Sequence, residues 1–346
     1  MVFSDFKQVL ERIAEGRKLE RDEARQAMEF VVKGDVNEAQ TAAFLFGMRQ
    51  KGETADELTG FAEAMRAAMI PVDVDVTGSV DLCGTGGDHS GSFNISTAAM
   101  FVVAGAGVPV LKHGNRSISS KSGSYDVLEA LGVAPALEAP KVKTCFEQTG
   151  LAFMFAPLFH PAMKYVMPAR RALGMRTFFN ILGPLLNPAG VKRQLVGTFD
   201  DETAKLCFDI LYQLEAERIV TVHSEDGMDE FSTAADAGVH FLGQDAIPTY
   251  TKFSPEHFGL QRVDHEALRG GDKEVNAEII RAVLGGRGTP AQTEIVLYNA
   301  AMGIYAGGKS DDFSEALAFA RESIGSGKAA EKLRHFAEAT QELARD

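Results

Sequence analysis

The stretch Val80–Thr97, VDLCGTGGDHSGSFNIST, predicts a strand, a glycine-rich loop and a helix start in that order. The strand is the apolar run at 80–83, and Asn94, Ser96 or Thr97 can cap the alanine-rich helix that follows. Glycines let backbone N–H groups approach a ligand closely, and a helix start adds unpaired donors. The stretch therefore predicts an anion site, and the alternative is an ordinary tight turn between a strand and a helix.

The next part of the chain strengthens the prediction of an anion site. Between Asp88 and Asp126 there is no Asp or Glu, although the formal net charge of the chain is -13. This interval instead carries KHGNRSISSKSGS, Lys112–Ser124, directly after a strand expected at 108–111. A basic, hydroxyl-rich interval in an acidic protein indicates a local positive pocket, and phosphate suits such donors. The alternative is a solvated cluster of surface charges.

Length and composition bound the kind of protein. The chain has 346 residues, of which 45% are hydrophobic and 24% charged, as in globular proteins of one or two domains. We expect no membrane span, because no run of about 20 apolar residues occurs. We expect no nucleic-acid partner, because the chain is acidic. The amphipathic N-terminus differs from a signal peptide, and Cys83, Cys145 and Cys207 fit neither disulfides nor a metal site, so we expect a cytoplasmic protein with buried thiols.

The periodicity of apolar residues predicts the fold class. Residues 4 to about 69 predict four amphipathic helices, with expected starts at Ser4, Asp22, Asp35 and Thr54. From Val80 onward, short apolar runs alternate with helices, and we expect strands at 108–111, 151–155, 193–199 and 218–222. The fold class is therefore α/β: a small N-terminal helical domain hinged to a larger domain, whose mostly parallel central sheet is flanked by helices.

Breaks in this pattern predict the domain boundaries. The helical pattern ends at Ile70–Pro71, and the proline-rich residues 160–190 interrupt the alternation of strands and helices. We expect that segment to return to the helical bundle. The helical domain would then comprise 1–72 plus about 160–190, and the α/β domain 73–159 plus 191–346. Surplus apolar faces make the bundle a candidate dimer surface.

Two further groups carry candidate chemistry. The acidic run Glu225–Glu230 follows the strand expected at 218–222. Neighbouring carboxylates at a strand end can hold Mg²⁺, although many acidic loops are only solvated turns. Arg170 or Arg171 can bind a carboxylate bidentately, although an arginine on a helix surface is the simpler interpretation.

In combination, these motifs are similar to those of the anthranilate phosphoribosyltransferase family. The matching blocks are GTGGD (Gly84–Asp88), NIST (Asn94–Thr97), KHGNR (Lys112–Arg116), KSGS (Lys121–Ser124), LEALG (Leu128–Gly132), RxLGxRTxFNxLGPLxNP (Arg171–Pro188) and the pair Asp229–Glu230. They follow the family's order and spacing. The resemblance implies transfer of phosphoribose from 5-phosphoribosyl diphosphate (PRPP) to the amine of anthranilate, with release of pyrophosphate. It also implies Mg²⁺ as cofactor and a homodimer formed through the helical domain.

The resemblance assigns a role to each matching position. Anthranilate would meet Gly84, Asn115 and Arg170, with Arg170 taking its carboxylate. Magnesium would be held by Ser96, Asp229 and Glu230. PRPP would be bound by Gly84, Gly87, Asp88, Ser92, Asn94, Ile95, Ser96, Thr97, Lys112, His113, Gly114, Asn115, Arg116, Ser117, Ile118, Ser119, Ser120 and Ser124. No protein nucleophile is required, and His113 is the one candidate catalytic side chain, as a guide for anthranilate or an acceptor of its proton.

Two alternatives to this function stay open. A pyrimidine nucleoside phosphorylase resembles the family in fold and has a similar lysine-rich loop, but the intact Asp229–Glu230 pair and the KHGNR block argue against it. A non-catalytic relative that binds nucleic acid would keep the fold, but the net acidity argues against it.

The sequence departs from the family pattern in two places. Tyr125 stands where the family mostly has a small residue, and His89 and Ser92 differ from the usual residues of the glycine loop. Neither departure removes a predicted ligand.

Overall fold

The N-terminal part of the chain folds into a bundle of amphipathic helices. The structure is a computed structural model that describes residues 2–88, 90–116 and 122–345. The four expected helices are present: α1 Phe6–Ala14, α2 Arg21–Lys33, α3 Glu38–Lys51 and α4 Ala55–Ala68. Their expected starts are wrong in three cases, because Asp5, Glu20 and Asn37 occupy the N-cap positions in place of Ser4, Asp22 and Asp35. Thr54 caps α4 as expected.

Aromatic rings form the core of the bundle and tie residues 160–190 to it. The ring centroids of Phe44 and Phe61 lie 5.4 Å apart. Phe178, from the proline-rich segment, lies 4.8 Å from Phe61 and 5.7 Å from Phe44. Such ring contacts add about 1 kcal/mol each to the burial of apolar area. The ring of Phe178 thus packs this segment against the bundle.

A twisted sheet forms the centre of the larger part. Its strands are β1 Asp81–Gly84, β2 Val110–Gly114, β3 Leu151–Phe155, β4 Arg193–Gly197, β5 Arg218–Ser224, β6 Ala237–Leu242 and β7 Thr249–Phe253. Five of them pair in the order β1-β4-β5-β6-β7, and β2 pairs with β3. A parallel bridge between Val80 and Val110 joins the two groups. Strands β1 to β5 pair in parallel, whereas β6 and β7 pair antiparallel.

Helices cover both faces of the sheet. They are α5 Ile95–Gly105, α6 Ser124–Ala130, α7 Ala139–Thr149, α8 Ala156–Phe159, α9 Met167–Leu173, α10 Phe179–Leu182, α11 Asp201–Gln213, α12 Lys273–Leu284, α13 Pro290–Ala306, α14 Phe313–Gly325 and α15 Lys328–Arg345. Short 3₁₀ helices span Pro161–Tyr165, Gly183–Leu185, Pro255–Phe258 and His265–Leu268. The expected fold class is confirmed.

The most apolar helices lie at the centre of the molecule. In α5 every residue except Ser96 is buried, and α13 is buried from Ile295 to Ala306. Cys83, Cys145 and Cys207 are buried free thiols, as expected. None of the helices in the described part of the chain has the length and hydropathy that a bilayer crossing requires.

Candidate active site

Three parallel strands deliver polar residues to one edge of the sheet. Strand β1 ends at Gly84 and leads into the glycine loop, β2 ends at Gly114, and β5 ends at Ser224 before the acidic turn. Ligands of such sheets bind beyond the carboxyl ends of the strands. The two predicted anion loops and the predicted metal turn therefore face the same space.

The glycine loop and the acidic turn are in direct contact. The Gly86 N–H donates to Oδ2 of Asp229 at 2.9 Å, and the Ser96 N–H, in the first turn of α5, donates to Oε1 of Glu230 at 3.1 Å. A Cβ atom on Gly84 would lie only 2.8 Å from Oδ2 of Asp229. Donors that the sequence predicted to bind an anion thus hold the two carboxylates in this structure.

The two carboxylates form a half-buried pair of like charges. Burial raises the pKa of Asp229, and the neighbouring Asp88 carboxylate raises it further. Burial also raises the pKa of Glu230, with a further rise from Asp229 and a smaller opposing effect from Lys112. Two desolvated carboxylates side by side need a nearby cation.

A hard divalent cation suits this pair. Within the described residues, no group of three or more His, Cys, Asp or Glu side chains is placed to hold a metal. Asp229 and Glu230 supply oxygen donors, and the Ser96 hydroxyl belongs to the same helix turn whose N–H contacts Glu230. Mg²⁺ prefers oxygen ligands, uses few protein carboxylates and takes its other ligands from water or substrate phosphates. The donor set fits such an ion.

Lys112 is a buried cation close enough to the acidic pair for its charge to oppose the raised pKa of Glu230. Its side chain is almost fully buried, and its Nζ donates to the Leu82 carbonyl and lies 3.5 Å from the Ser96 hydroxyl. Lys112 was expected just after a strand ending at residue 111, and this boundary is wrong, because β2 continues to Gly114. The inclusion of Lys112 in a strand fixes its side chain between β1 and α5.

A buried network positions His113 on the same strand. The His113 N–H donates to Oδ1 of Asp81 at 3.2 Å, and the Asn187 amide donates to Oδ2 of Asp81 at 2.7 Å and to the Leu111 carbonyl at 2.8 Å. Burial raises the pKa of Asp81 to about 6, and the charge of Lys112 opposes this rise. Asp81 and Asn187 were not identified as site residues from the sequence. Asp81 lies in no motif, and Asn187 stands in the long motif at 171–188 without a sign of the partners that its amide would reach.

His113 also forms a pair with His160, which the sequence did not reveal. Their Nε2 atoms lie 3.2 Å apart, so one ring donates to the other when both are neutral. Burial lowers the pKa of His113 to about 3, with a further lowering from His160, and burial lowers the pKa of His160 to about 4. Both rings are therefore neutral at pH 7.

The predicted second loop is described only in part. The Ser124 hydroxyl donates to the Asn115 carbonyl at 3.2 Å, and the Arg116 guanidinium pairs with Asp126 at 2.8 Å. Arg116 also lies 3.9 Å from the ring centroid of Tyr125, which is buried. In this structure the Arg116 charge is therefore already paired. The predicted PRPP residues Ser117, Ile118, Ser119 and Ser120 lie outside the described residues, as do His89 and Lys121.

The start of α5 links the first loop to the rest of the site. Asn94 occupies the N-cap position, but its side chain makes no capping bond. Its amide instead donates to the Ser122 carbonyl at 3.1 Å, and its Oδ1 accepts from Asn276 at 3.0 Å.

The other predicted ligands near the start of α5 have different surroundings. The hydroxyl of Thr97 is buried and has no partner among the described residues. The Ser92 hydroxyl accepts from Ser90 at 3.1 Å. Ile95 is buried at the beginning of the helix.

Two arginines of the proline-rich segment occupy different surroundings. Arg170, on α9, donates to Oδ1 of Asn180 at 3.4 Å and lies 5.4 Å from the ring centroid of Phe179. Arg176 donates to the Gly87 carbonyl in the glycine loop and lies 4.4 Å from the ring centroid of Phe199. Gly87 has φ +77, and a Cβ there would lie 3.0 Å from the Arg176 guanidinium. Arg176 was not identified as a site residue from the sequence, although it is the arginine of the Arg-Thr dipeptide in the motif at 171–188.

Comparisons with known proteins agree over almost the whole chain. A model described as glycosyl transferase family, helical bundle domain, matches residues 7–69, and one described as glycosyl transferase family, a/b domain, matches 77–330. The anthranilate phosphoribosyltransferase of Salinibacter ruber is 46% identical over 337 residues, covering 96% of this chain and 98% of that protein. That of Azorhizobium caulinodans is 48% identical over 340 residues, covering 98% of both.

Solved structures show the same likeness. The crystal structure of anthranilate phosphoribosyltransferase from Thermus thermophilus has a TM-score of 0.91 and 38% identity, covering 96% of this chain and 99% of that one. The enzyme of the same name from Saccharomyces cerevisiae, in complex with PRPP and Mg, has a TM-score of 0.88 and 25% identity, covering 97% of this chain and 98% of that one.

Proposed function

The chain belongs to the anthranilate phosphoribosyltransferase family, and we propose that its glycine loop, Lys112 and acidic turn hold PRPP in front of anthranilate. The enzyme transfers the phosphoribosyl group from PRPP to the amine of anthranilate, which gives N-(5-phosphoribosyl)anthranilate and pyrophosphate in tryptophan biosynthesis. One observation supports the proposed site above all. The N–H groups of Gly86 and Ser96 meet the carboxylates of Asp229 and Glu230 at the strand edge where Lys112 is buried.

PRPP binding is assigned to the two loops. The proposed ligands are Gly84, Gly87, Asp88, Ser92, Asn94, Ile95, Ser96, Thr97, Lys112, His113, Gly114, Asn115, Arg116 and Ser124, together with Ser117, Ile118, Ser119 and Ser120, which lie outside the described residues. Backbone N–H groups at a helix start, hydroxyls and a buried ammonium are suitable donors for phosphate oxygens. The Arg116 guanidinium, now paired with Asp126, would have to exchange that carboxylate for pyrophosphate.

Magnesium is assigned to Asp229, Glu230 and Ser96. When bound, the ion neutralises charge on the departing pyrophosphate. Asp229 and Glu230 supply the carboxylate oxygens, and the desolvation that raises the pKa of each favours a bound cation over two bare charges. The relative from Saccharomyces cerevisiae was solved in complex with PRPP and Mg, which supports the assignment.

Transfer requires positioning and charge stabilisation more than base catalysis. The aromatic amine of anthranilate is largely unprotonated at pH 7, and C1 of the ribose develops oxocarbenium character as pyrophosphate leaves. Lys112 and backbone N–H groups oppose the charge on that leaving group. Anthranilate is assigned to Gly84, Asn115 and Arg170, with Arg170 taking the carboxylate. A ring whose pKa is about 3 is a weak base, so we assign His113 the steering of anthranilate and not proton removal.

The organisation of the whole protein follows the same proposal. Residues 1–72 with about 160–190 form the helical domain, and 73–159 with 191–346 form the α/β domain. The packing of Phe178 against Phe44 and Phe61 supports this division. We assign the enzyme to the cytoplasm as a homodimer that associates through the helical domain, where Phe46 is an exposed apolar side chain.

A direct assay tests the function. Anthranilate fluorescence should fall with time when the protein, PRPP and Mg²⁺ are mixed, and pyrophosphate should appear in equal amount. Uracil with ribose 1-phosphate is the competing substrate pair, and turnover of that pair without loss of anthranilate would instead indicate a nucleoside phosphorylase.

A further inference from the structure

The turn that carries Asp229 and Glu230 is fixed on one side by Ser224, the last residue of β5. The buried Ser224 hydroxyl donates to the Glu230 carbonyl at 2.7 Å and accepts from the Ser232 N–H at 3.0 Å. The Ser224 N–H donates to the Met228 carbonyl at 3.1 Å. Ser224 therefore holds the main chain at Met228, before the carboxylate pair, at Glu230, within it, and at Ser232, after it.

Asn299, on α13, fixes the other side of the turn. Its Oδ1 accepts from the Phe231 N–H and its Nδ2 donates to the Phe231 carbonyl, both at 2.9 Å. The same Nδ2 donates to the Ile295 carbonyl at 2.9 Å. Asn299 is almost fully buried on an otherwise apolar stretch of helix. Its amide hydrogen-bonds both main-chain groups of Phe231, the residue that directly follows Glu230.

These bonds oppose a specific electrostatic strain. Asp229 and Glu230 are half-buried and adjacent in the chain, and their carboxylates carry like charges, which repel each other. Without a cation, repulsion favours a turn in which the two side chains move apart. A turn held at its carbonyl and N–H groups resists that movement, because each broken bond would leave a buried polar group unpaired.

We propose that Ser224 and Asn299 are positioning residues that hold the carboxylate pair ready for a divalent cation before any substrate binds. The inference rests on the proposed function for the identity of the metal ligands. Residues that orient metal ligands typically change metal affinity 10- to 100-fold when they are removed. The expected effect of removing either side chain is therefore on metal binding, with anthranilate binding unchanged.

The test measures uptake of Mn²⁺, as a stand-in for Mg²⁺, by the substrate-free protein through the electron paramagnetic resonance signal of free Mn²⁺. Ser224→Ala and Asn299→Ala are compared with wild type and with Thr221→Val. Thr221 lies on the same strand, and its buried hydroxyl donates to the Ala204 carbonyl at 2.9 Å, away from the acidic turn. Thermal unfolding shows which variants fold. If Asn299→Ala does not fold, the Mn²⁺ uptake of Ser224→Ala, which loses only one hydroxyl, tests the proposal by itself.

We expect at least tenfold weaker Mn²⁺ binding in both test variants, and binding within twofold of wild type in Thr221→Val. In activity assays, the half-saturating Mg²⁺ concentration should rise while the KM for anthranilate stays the same. The inference is overturned if folded Ser224→Ala binds Mn²⁺ as wild type does, if Thr221→Val loses as much affinity, or if wild type takes up no Mn²⁺. Wild type that binds Mn²⁺ with the expected variant pattern, yet transfers no phosphoribose, would overturn the proposed function alone.

Discussion

A Cβ atom on Gly197 would lie 1.6 Å from the carbonyl oxygen of Asp229, so the main chain of β4 touches the main chain of the acidic turn. The Gly197 carbonyl also accepts from the Thr85 N–H at 2.9 Å, in the glycine loop. One residue without a side chain thus sets the spacing between the two halves of the proposed PRPP and magnesium site.

Gly197→Ala should therefore reduce kcat/KM about 100-fold or more, because the acidic turn must move to make room for the methyl group and a displacement of about 1 Å has effects of that size. Gly325→Ala is the control, since Gly325 ends α14 with open space around it. Steady-state kinetics with saturating Mg²⁺ measures the loss. Equal activity of the two variants would show that the contact does not matter.

Neutralising the acidic pair should have opposite effects on stability and activity. In Asp229→Asn combined with Glu230→Gln, the new amide oxygens can still accept from Gly86 and Ser96. Since the repulsion between two half-buried carboxylates is gone, the metal-free variant should unfold at a higher temperature than wild type at pH 8. Its residual activity should be small and independent of Mg²⁺. An unchanged magnesium response would remove both residues as ligands.

Arg170→Ala should raise the KM for anthranilate at least tenfold and leave the KM for PRPP within about twofold, because a charged hydrogen bond contributes about 1.5–3 kcal/mol. The matched control is Arg171→Ala, whose side chain is exposed on the same helix. Initial rates over both substrate concentrations separate the two constants. A similar rise in both KM values would refute the assignment of the anthranilate carboxylate to Arg170.

His160 should make the stability of the protein depend on pH below neutrality. An unfolded histidine titrates near pH 6.5, whereas burial lowers the pKa of His160 to about 4 in the folded chain. The unfolded state therefore takes up the proton first, and the stability present above pH 6.5 is lost as the pH falls towards 4. Removing this group should reduce that loss by up to about 3 kcal/mol.

Urea unfolding of His160→Gln and wild type at pH 7, 6 and 5 tests this pH dependence. The free energy of unfolding should fall less steeply in the variant. His335→Gln, on the exposed side of α15, is the control and should follow wild type. Parallel curves for His160→Gln and wild type would contradict a buried, neutral His160.

The sequence predicted structure correctly where the pattern of neighbouring residues alone determines the local conformation. The glycines at 84–87 predicted the loop after β1, and apolar periodicity predicted the bundle helices, because such patterns act within a few neighbouring residues. Prediction from the sequence failed where residues that are distant in the chain but close in space determine the structure. The strands β6 and β7 went unpredicted. In β7, residues facing solvent alternate with half-buried ones, which leaves little apolar signal.

The partners of the site residues were equally hidden. Nothing local to Asn187 indicates that its amide joins Asp81 to the Leu111 carbonyl across the fold. Likewise, Arg176 reaches the glycine loop only because residues 160–190 fold back towards it. Long-range hydrogen bonds of this kind depend on the tertiary structure, so a single sequence identified the candidate ligands but not the residues that orient them.

The most direct test of the account is isothermal titration of PRPP into the protein with Mg²⁺ present. The account predicts one binding event per chain in wild type and a loss of measurable heat in Asp229→Asn/Glu230→Gln. No heat of binding in wild type, with both loops empty in crystals soaked in PRPP and Mg²⁺, would contradict it.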